Sequence, residues 1–176
     1  MKNSLKKISS FEPIIDVNTK TFVVGTMPSV QSLNEGEYYA HPRNHFWQII
    51  AILFHDQQPF VSFDEKKRCL LNHKIGLWDA LETCQRPGSL DSNITNETPH
   101  DFNKYPQIQY YLFNGQKAYA YFKKYNNLLL KENNHFILPS TSPANAGCAF
   151  GKKLALWREA FDIINAGSFV SKLNAE

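Results

Sequence analysis

The sequence predicts an α/β fold: a three-layer α/β/α domain around a central four-stranded, mostly parallel sheet. Four short runs have strand composition, namely Thr21–Val24, Ile75–Ala80, Tyr110–Asn114 and His135–Leu138. Helical segments of about 10 to 15 residues separate them, the spacing of β-α-β units. Each strand run also stops where an irregular segment begins, and in open α/β sheets ligands sit outside the carboxyl ends of the strands. The segments Gly25 to Asn44, Asp79 to Ile94, Asn114-Gly115 and Pro139 to Gly147 are therefore expected on one rim.

The elements follow in order. Thr21, Phe22, Val23 and Val24 form a β-branched and aromatic run that ends at Gly25. A loop rich in Gly, Ser, Asn, Tyr and His then runs to Asn44, and roughly 15 unpatterned residues inside a compact domain are usually functional or disordered. Tyr38, Tyr39, Phe46 and Trp47 argue for function, because such side chains are normally buried or stacked. From Asn44 to Phe54, Phe46, Ile49, Ile50, Leu53 and Phe54 recur at helical spacing, with Asn44 at the start. Ser62-Phe63-Asp64-Glu65 is a capping box that opens a second helix through Asn72. The stretch from Asp79 to Asn103 reads as polar and turn-rich. A helix from Gly115 to Tyr125 follows the third strand, and a final amphipathic helix carries Phe150, Leu154, Leu156, Trp157, Phe161 and Ile164. Phe169 to Glu176 is expected to be a frayed tail.

With 176 residues the chain is expected to be a single domain over 1–176, peripheral only at its N-terminal ten or so and C-terminal eight or so residues. A net charge of +3 suits an anionic partner without demanding one. Cys69, Cys84 and Cys148 form no CxxC pair. This pattern points to a reduced, cytoplasmic protein and away from an iron–sulfur cluster, which needs about four thiolates. MKNSLKKISS has no apolar run behind it, so neither a signal peptide nor a membrane association is expected. His41 and His45 are four apart, but Pro42 between them would disrupt a shared helix, and no metal is expected.

Several motifs together resemble a known family. They are Gly25-Thr26-Met27-Pro28-Ser29, Tyr38-Tyr39-Ala40-His41-Pro42-Arg43-Asn44-His45-Phe46-Trp47, Gly76-Leu77-Trp78-Asp79, Gly88-Ser89-Leu90-Asp91-Ser92, Phe113-Asn114-Gly115 and Leu138-Pro139-Ser140-Thr141-Ser142-Pro143-Ala144-Asn145. This set is similar to the hypoxanthine (deoxyinosine) DNA glycosylase branch of the uracil-DNA glycosylase superfamily, over about residues 20 to 162. The resemblance implies a monofunctional enzyme, working without a cofactor and as a monomer, that hydrolyses the N-glycosidic bond of hypoxanthine or uracil in DNA. Such an enzyme must draw the nucleotide out of the stack into a pocket and admit water to an oxocarbenium-like sugar.

By that family pattern Asn44 is the catalytic residue, holding a water through its amide carbonyl, while an ordinary helix cap explains the same residue. Asp79 stands where other branches carry a base-reading Asn; a strand-terminal Asp capping a turn is the plain alternative. Gly25, Thr26, Met27, Pro28, Tyr39, Phe46, Asn114, Ser140, Thr141 and Ser142 complete the expected base-binding set. Phe46 also fits a core position and Asn114 fits turn chemistry. The hydroxyls of Ser140 to Ser142 replace a His found in several branches at the second motif. Ser29, Arg43, Asn145 and Lys152 are the expected DNA-backbone contacts, with Lys153 beside them; a solvated helix start explains the lysines, and an ion pair explains Arg43.

Rival classes fit less well. A serine hydrolase lacks the GxSxG elbow and any His after Ser142, and a nucleotide-binding protein lacks both GxGxxG and GxxxxGK[ST]. A non-catalytic damaged-DNA or nucleotide-binding module of the same fold remains as the alternative.

Overall fold

The computed structural model describes residues 6–173, with side chains described through residue 167. Among them are seven strands and five α-helices. A short N-terminal β1 (Lys7–Ser9) precedes β2 (Thr21–Gly25), which pairs in parallel with both β3 (Ile75–Asp79) and β6 (Tyr110–Asn114). A parallel β7 (His135–Leu138) on the far side of β6 completes a four-stranded sheet of order β3-β2-β6-β7. The central strand β2 is buried along its whole length.

Strand alternation divides the core in two, because successive side chains point to opposite faces. Val23, Leu77 and Leu112 are register neighbours on one face. They pack with Phe46 and Ile50 of α2 (Phe46–Phe54), Leu70 of α3 (Phe63–Asn72), and Trp157 and Phe161 of α5 (Phe150–Leu173). Phe22, Val24, Trp78 and Phe113 face the other way, against Ala118 and Phe122 of α4 (Gln116–Asn126) and against Phe102. The expected three layers are present, and the central sheet is parallel in all its pairings.

Several local expectations are corrected. The loop after β2 contains a helical turn and a half, α1 (Val30–Glu35). Ser29 caps it by accepting from Ser32 N, and Gly36 ends it at φ +70°. The helix expected to start at Asn44, α2, begins at Phe46. The third is capped at Ser62, whose Oγ accepts from Glu65 N at 3.1 Å, but the Glu65 carboxylate reaches back to Val61 N. Between Ala80 and Asn103, read as turns, lie β4 (Leu81–Gln85) and β5 (Thr95–Pro99). With β1 they form a second, antiparallel sheet of order β1-β4-β5. Thr95-Asn96-Glu97-Thr98-Pro99 is mostly exposed and has no apolar alternation to announce it. The N-terminal stretch expected at the periphery pairs Lys7–Ser9 with residues of β4. At the other end the backbone stays helical through Leu173; residues 1–5 and 174–176, where the expected termini fall, lie outside the described residues.

Candidate active site

At the carboxyl ends of β2, β3 and β6 lies a cavity of about 290 Å³. It opens where the sheet's loops meet. Its wall includes Gly25 to Ser29 after β2, Asp79 at the end of β3 and Asn114 at the end of β6. Tyr39 and Asn44 before α2, and Ser140 and Ser142 after β7, close the circle.

Gly25 and Asp79 are register partners, so the carboxylate leans over the glycine. A Cβ on Gly25 would lie 2.3 Å from Asp79 Oδ1 and 2.9 Å from Tyr39 Oη, and only glycine leaves room for both groups. Asp79 is 2% exposed, and its Oδ2 accepts a 2.7 Å hydrogen bond from Ser10. Burial pushes its pKa up to about 7 against the pull of that hydrogen bond; Asp91 raises it further and Arg86 lowers it. The ring of Tyr39 packs 4.4 Å from Phe46, centroid to centroid, with its backbone at φ +55°. Its hydroxyl is buried, and although the Asn114 side chain lies near enough to favour the ionised phenol slightly, no hydrogen bond of good geometry reaches it among the described residues. A buried donor without a partner is costly, which marks the atom as awaiting a ligand or water. Burial and the Asp79 charge both raise its pKa, so the phenol stays protonated.

Asn44 lines the cavity while its Oδ1 accepts from Phe46 N at 3.0 Å. The N-cap itself is His45, and Asn44, one residue ahead of it, satisfies the first helical amide in an Asx-type turn through one lone pair. An amide oxygen has two, and the second, with the amide N–H donors, remains for a ligand or water. Asn114 and Thr141 bond reciprocally: Asn114 Nδ2 donates to Thr141 Oγ1 at 2.9 Å, and Thr141 N donates to Asn114 Oδ1 at 2.8 Å. Thr141 O in turn accepts from His45 N at 3.0 Å, tying the loop after β7 to the start of α2. Within that loop Ser140 Oγ accepts from Ser142 N and Ser142 Oγ from Ala144 N, each at 3.2 Å. Both hydroxyls satisfy their own backbone as acceptors and keep their O–H for donation.

Of the residues expected from sequence, Gly25, Thr26, Met27, Pro28, Ser29, Tyr39, Asn44, Asp79, Asn114, Ser140 and Ser142 meet around this cavity. Phe46 does not: it is fully buried in the main core and touches the site only through Tyr39. Thr141 is also fully buried, behind the wall. Arg43 and Lys152 are exposed and off the cavity. Asn145 is turned inward, donating to Ser140 O at 3.0 Å and accepting from the buried Lys153 Nζ at 3.0 Å through its carbonyl.

Sequence reasoning missed Ser10 and Arg86. The Arg86 guanidinium, 1% exposed, donates to Gly88 O and Asp91 Oδ1 at 3.1 Å each and also to Pro28 O. It therefore joins the loop after β2 to the loop after β4. Nothing local signalled this, because its partners are main-chain carbonyls and a carboxylate known only from the fold. His41 lines the cavity, and His45 Nδ1 is buried with no hydrogen-bond partner among the described residues. Among the described residues no group of three or more His, Cys, Asp or Glu is arranged to hold a metal, and no helix is long and apolar enough to cross a membrane.

The chain is similar to several known proteins. A family model described as the uracil DNA glycosylase superfamily matches residues 12–164. A protein of Methanosarcina barkeri named hypoxanthine DNA glycosylase is 30% identical over 161 residues, 88% of this chain and 98% of its own. Its namesake in Methanosarcina acetivorans is 31% identical over 139 residues, 77% of this chain and 86% of its own. A solution NMR structure from Methanosarcina acetivorans, described as a candidate uracil DNA glycosylase, superposes with a TM-score of 0.71 at 28% identity, covering 88% of this chain and 99% of that one.

Proposed function

The chain belongs to the uracil DNA glycosylase superfamily, and we propose that it is a monofunctional DNA glycosylase that removes deaminated bases, hypoxanthine above all, from DNA. The observation that carries the reading is that Asn44 and Asp79 line one cavity, with the unpartnered Tyr39 hydroxyl beside Asp79. The names of the two Methanosarcina relatives support the choice of base.

In this reading a nucleotide leaves the stack and its base enters the cavity. Asp79 and Tyr39 read the edge of the base. An Asp with a pKa near 7 can accept from a ring N–H when ionised, or donate to the departing base when protonated. The Ser140 and Ser142 hydroxyls donate toward the leaving base or the neighbouring phosphate, in place of the His found in other branches. As the bond to the sugar breaks, positive charge develops at the anomeric carbon. Asn44 holds the attacking water through the lone pair that the Phe46 amide leaves unused. Ser29, Arg43, Asn145 and Lys152 belong to the DNA-backbone contacts of the same reading, and the protein acts as a cytoplasmic monomer, in keeping with its three free thiols.

Duplex oligonucleotides bearing hypoxanthine, uracil, xanthine or no lesion, treated with the protein and then with alkali, test it. The expected result is alkali-dependent strand breaks at hypoxanthine. Absence of breaks above the undamaged control refutes the enzyme, and breaks without alkali refute the monofunctional reaction.

A further inference from the structure

Behind the loop that carries Ser140 and Ser142 lies a cation that the chemistry above does not use. Lys153 stands in the first turn of α5 and is 1% exposed, so it is not the solvated lysine of a helix start. Its Nζ donates to Asn145 O at 3.0 Å, and none of the ion pairs among the described residues includes it. The first turn of α5 holds no acidic residue, and neither does that of α2, which starts beside it. His45 caps α2, its N donates to Thr141 O at 3.0 Å, and its ring packs 5.1 Å, centroid to centroid, from Phe150 at the head of α5. Two helix starts, each the positive end of its dipole, thus meet beside a buried ammonium. Burial lowers the pKa of Lys153, and its charge adds to the burial that lowers the pKa of His45. A buried charge without a counterion is costly, and the start of a helix is the wrong end for a lysine. The corner lacks one negative charge.

This corner adjoins the cavity on two sides. Asn145 follows Ala144 and His45 follows Asn44, and both Ala144 and Asn44 line the cavity. By holding Asn145 O, Lys153 also holds the residue whose Nδ2 donates to Ser140 O at 3.0 Å. Hydrolysis of an N-glycosidic bond sends the bonding electron pair out with the base, while water gives hydroxide to the anomeric carbon and its proton to the departing base or to solvent. Negative charge therefore grows on the base as it leaves, and preorganised positive charge there lowers the barrier. We propose that Lys153 is a positioning residue whose buried positive charge, set behind the loop of Ser140 and Ser142, stabilises the negative charge on the departing base. The inference rests on the glycosylase reading and adds what the serine hydroxyls lack, a full positive charge. An ammonium shielded from water acts beyond hydrogen-bond range, because Coulomb energy falls only with the first power of distance.

The test compares wild type with Lys153→Gln, which keeps an N–H donor for Asn145 O and removes the charge. Single-turnover excision is measured on duplexes carrying hypoxanthine or 8-azahypoxanthine, a base of the same outline whose extra ring nitrogen makes it a more stable anion. Lys153→Gln is expected to lose on the order of 10- to 100-fold on hypoxanthine and much less on 8-azahypoxanthine, which needs less help to leave. Affinity for the hypoxanthine duplex made uncleavable by a 2′-fluoro sugar is expected to stay unchanged. The His45 ring, followed by NMR, is expected to titrate at higher pH in Lys153→Gln, which reads the field of the ammonium without turnover. Relieved of a buried charge yet still able to bond Asn145 O, Lys153→Gln is expected to melt close to wild type. Equal losses on the two bases, a loss carried by affinity alone, an undiminished rate, an unmoved His45 titration or an unfolded variant would each overturn the role of Lys153. Wild type that excises neither base would instead refute the glycosylase reading.

Discussion

The Ser10 hydroxyl donates to the Asp79 carboxylate at 2.7 Å across 69 positions of sequence. Ser10 is delivered by the strand before it, since β1 pairs with β4 and Ser10 N donates to Glu82 O at 2.8 Å. The antiparallel sheet thus serves the cavity that the parallel sheet opens. One Asp79 oxygen is occupied from outside the central sheet, and the other is left against Gly25 on the cavity side.

Asp79 should make stability fall with rising pH. Its pKa is about 7 in the folded chain and about 3.8 when unfolded, so between those values the folded state binds more protons. Stability from this group then falls across that window, and the loss is complete once pH passes its folded value. Burial lowers the pKa of His45 and His100, which act in the opposite sense but are common to both proteins compared. Asp79→Asn cannot ionise, and its melting temperature relative to wild type is expected to rise from about pH 5 to about pH 8. Parallel melting profiles would contradict this.

Asn44→Ala separates its two roles. Losing the cap on Phe46 N should cost about 1 kcal/mol in urea unfolding. Losing the hold on water should cost roughly 2 to 4 kcal/mol of transition-state stabilisation, on the order of 10²- to 10³-fold in single-turnover rate. A rate loss no larger than the stability loss would leave Asn44 as a cap alone.

Gly25→Ala places a methyl 2.3 Å from Asp79 Oδ1 and 2.9 Å from Tyr39 Oη. Overpacking of this kind costs about 1 to 3 kcal/mol. Because the nearest obstruction is the carboxylate, Gly25→Ala should be less costly when Asp79 is already Ala, by a coupling of at least about 0.5 kcal/mol. Additive losses in the double-mutant cycle would show that the methyl is accommodated elsewhere.

Arg86→Met keeps the stem and removes the guanidinium that joins Pro28 O, Gly88 O and Asp91. Leaving these groups unpaired should cost on the order of 3 kcal/mol, discounted for the part of Asp91 that water reaches. Amide exchange should quicken in the loops after β2 and β4 together, because one side chain holds both. Quickening in only one of them would refute the brace.

Much of the frame is legible in the residues. Val23, Val24, Leu112 and Phe113 announce buried strands by composition, and Phe46, Ile49, Ile50 and Leu53 announce a helix by period. These signals are local, and burial on both faces makes them strong. Leu81–Gln85 and Thr95–Pro99 went unread because their pairing stabilises strands of mixed, partly exposed composition. Placement on the rim was legible too, since it follows from where strands stop. Phe46 was read both as a base contact and as a core residue, and its period with Ile49 and Ile50 pointed to the core, where it lies.

By itself the sequence determined the layers, the rim and the residue types that gather there, because period, capping and strand ends are properties of neighbours along the chain. Only the tertiary structure decided that Ser10 loads one Asp79 oxygen, that Arg86 joins two loops, that Thr141 backs Asn114, and that Lys153 is buried behind the loop after β7. Hydrogen bonds between distant residues and the exposure of a side chain depend on which segments the fold brings together, and spacing along the chain carries no record of that.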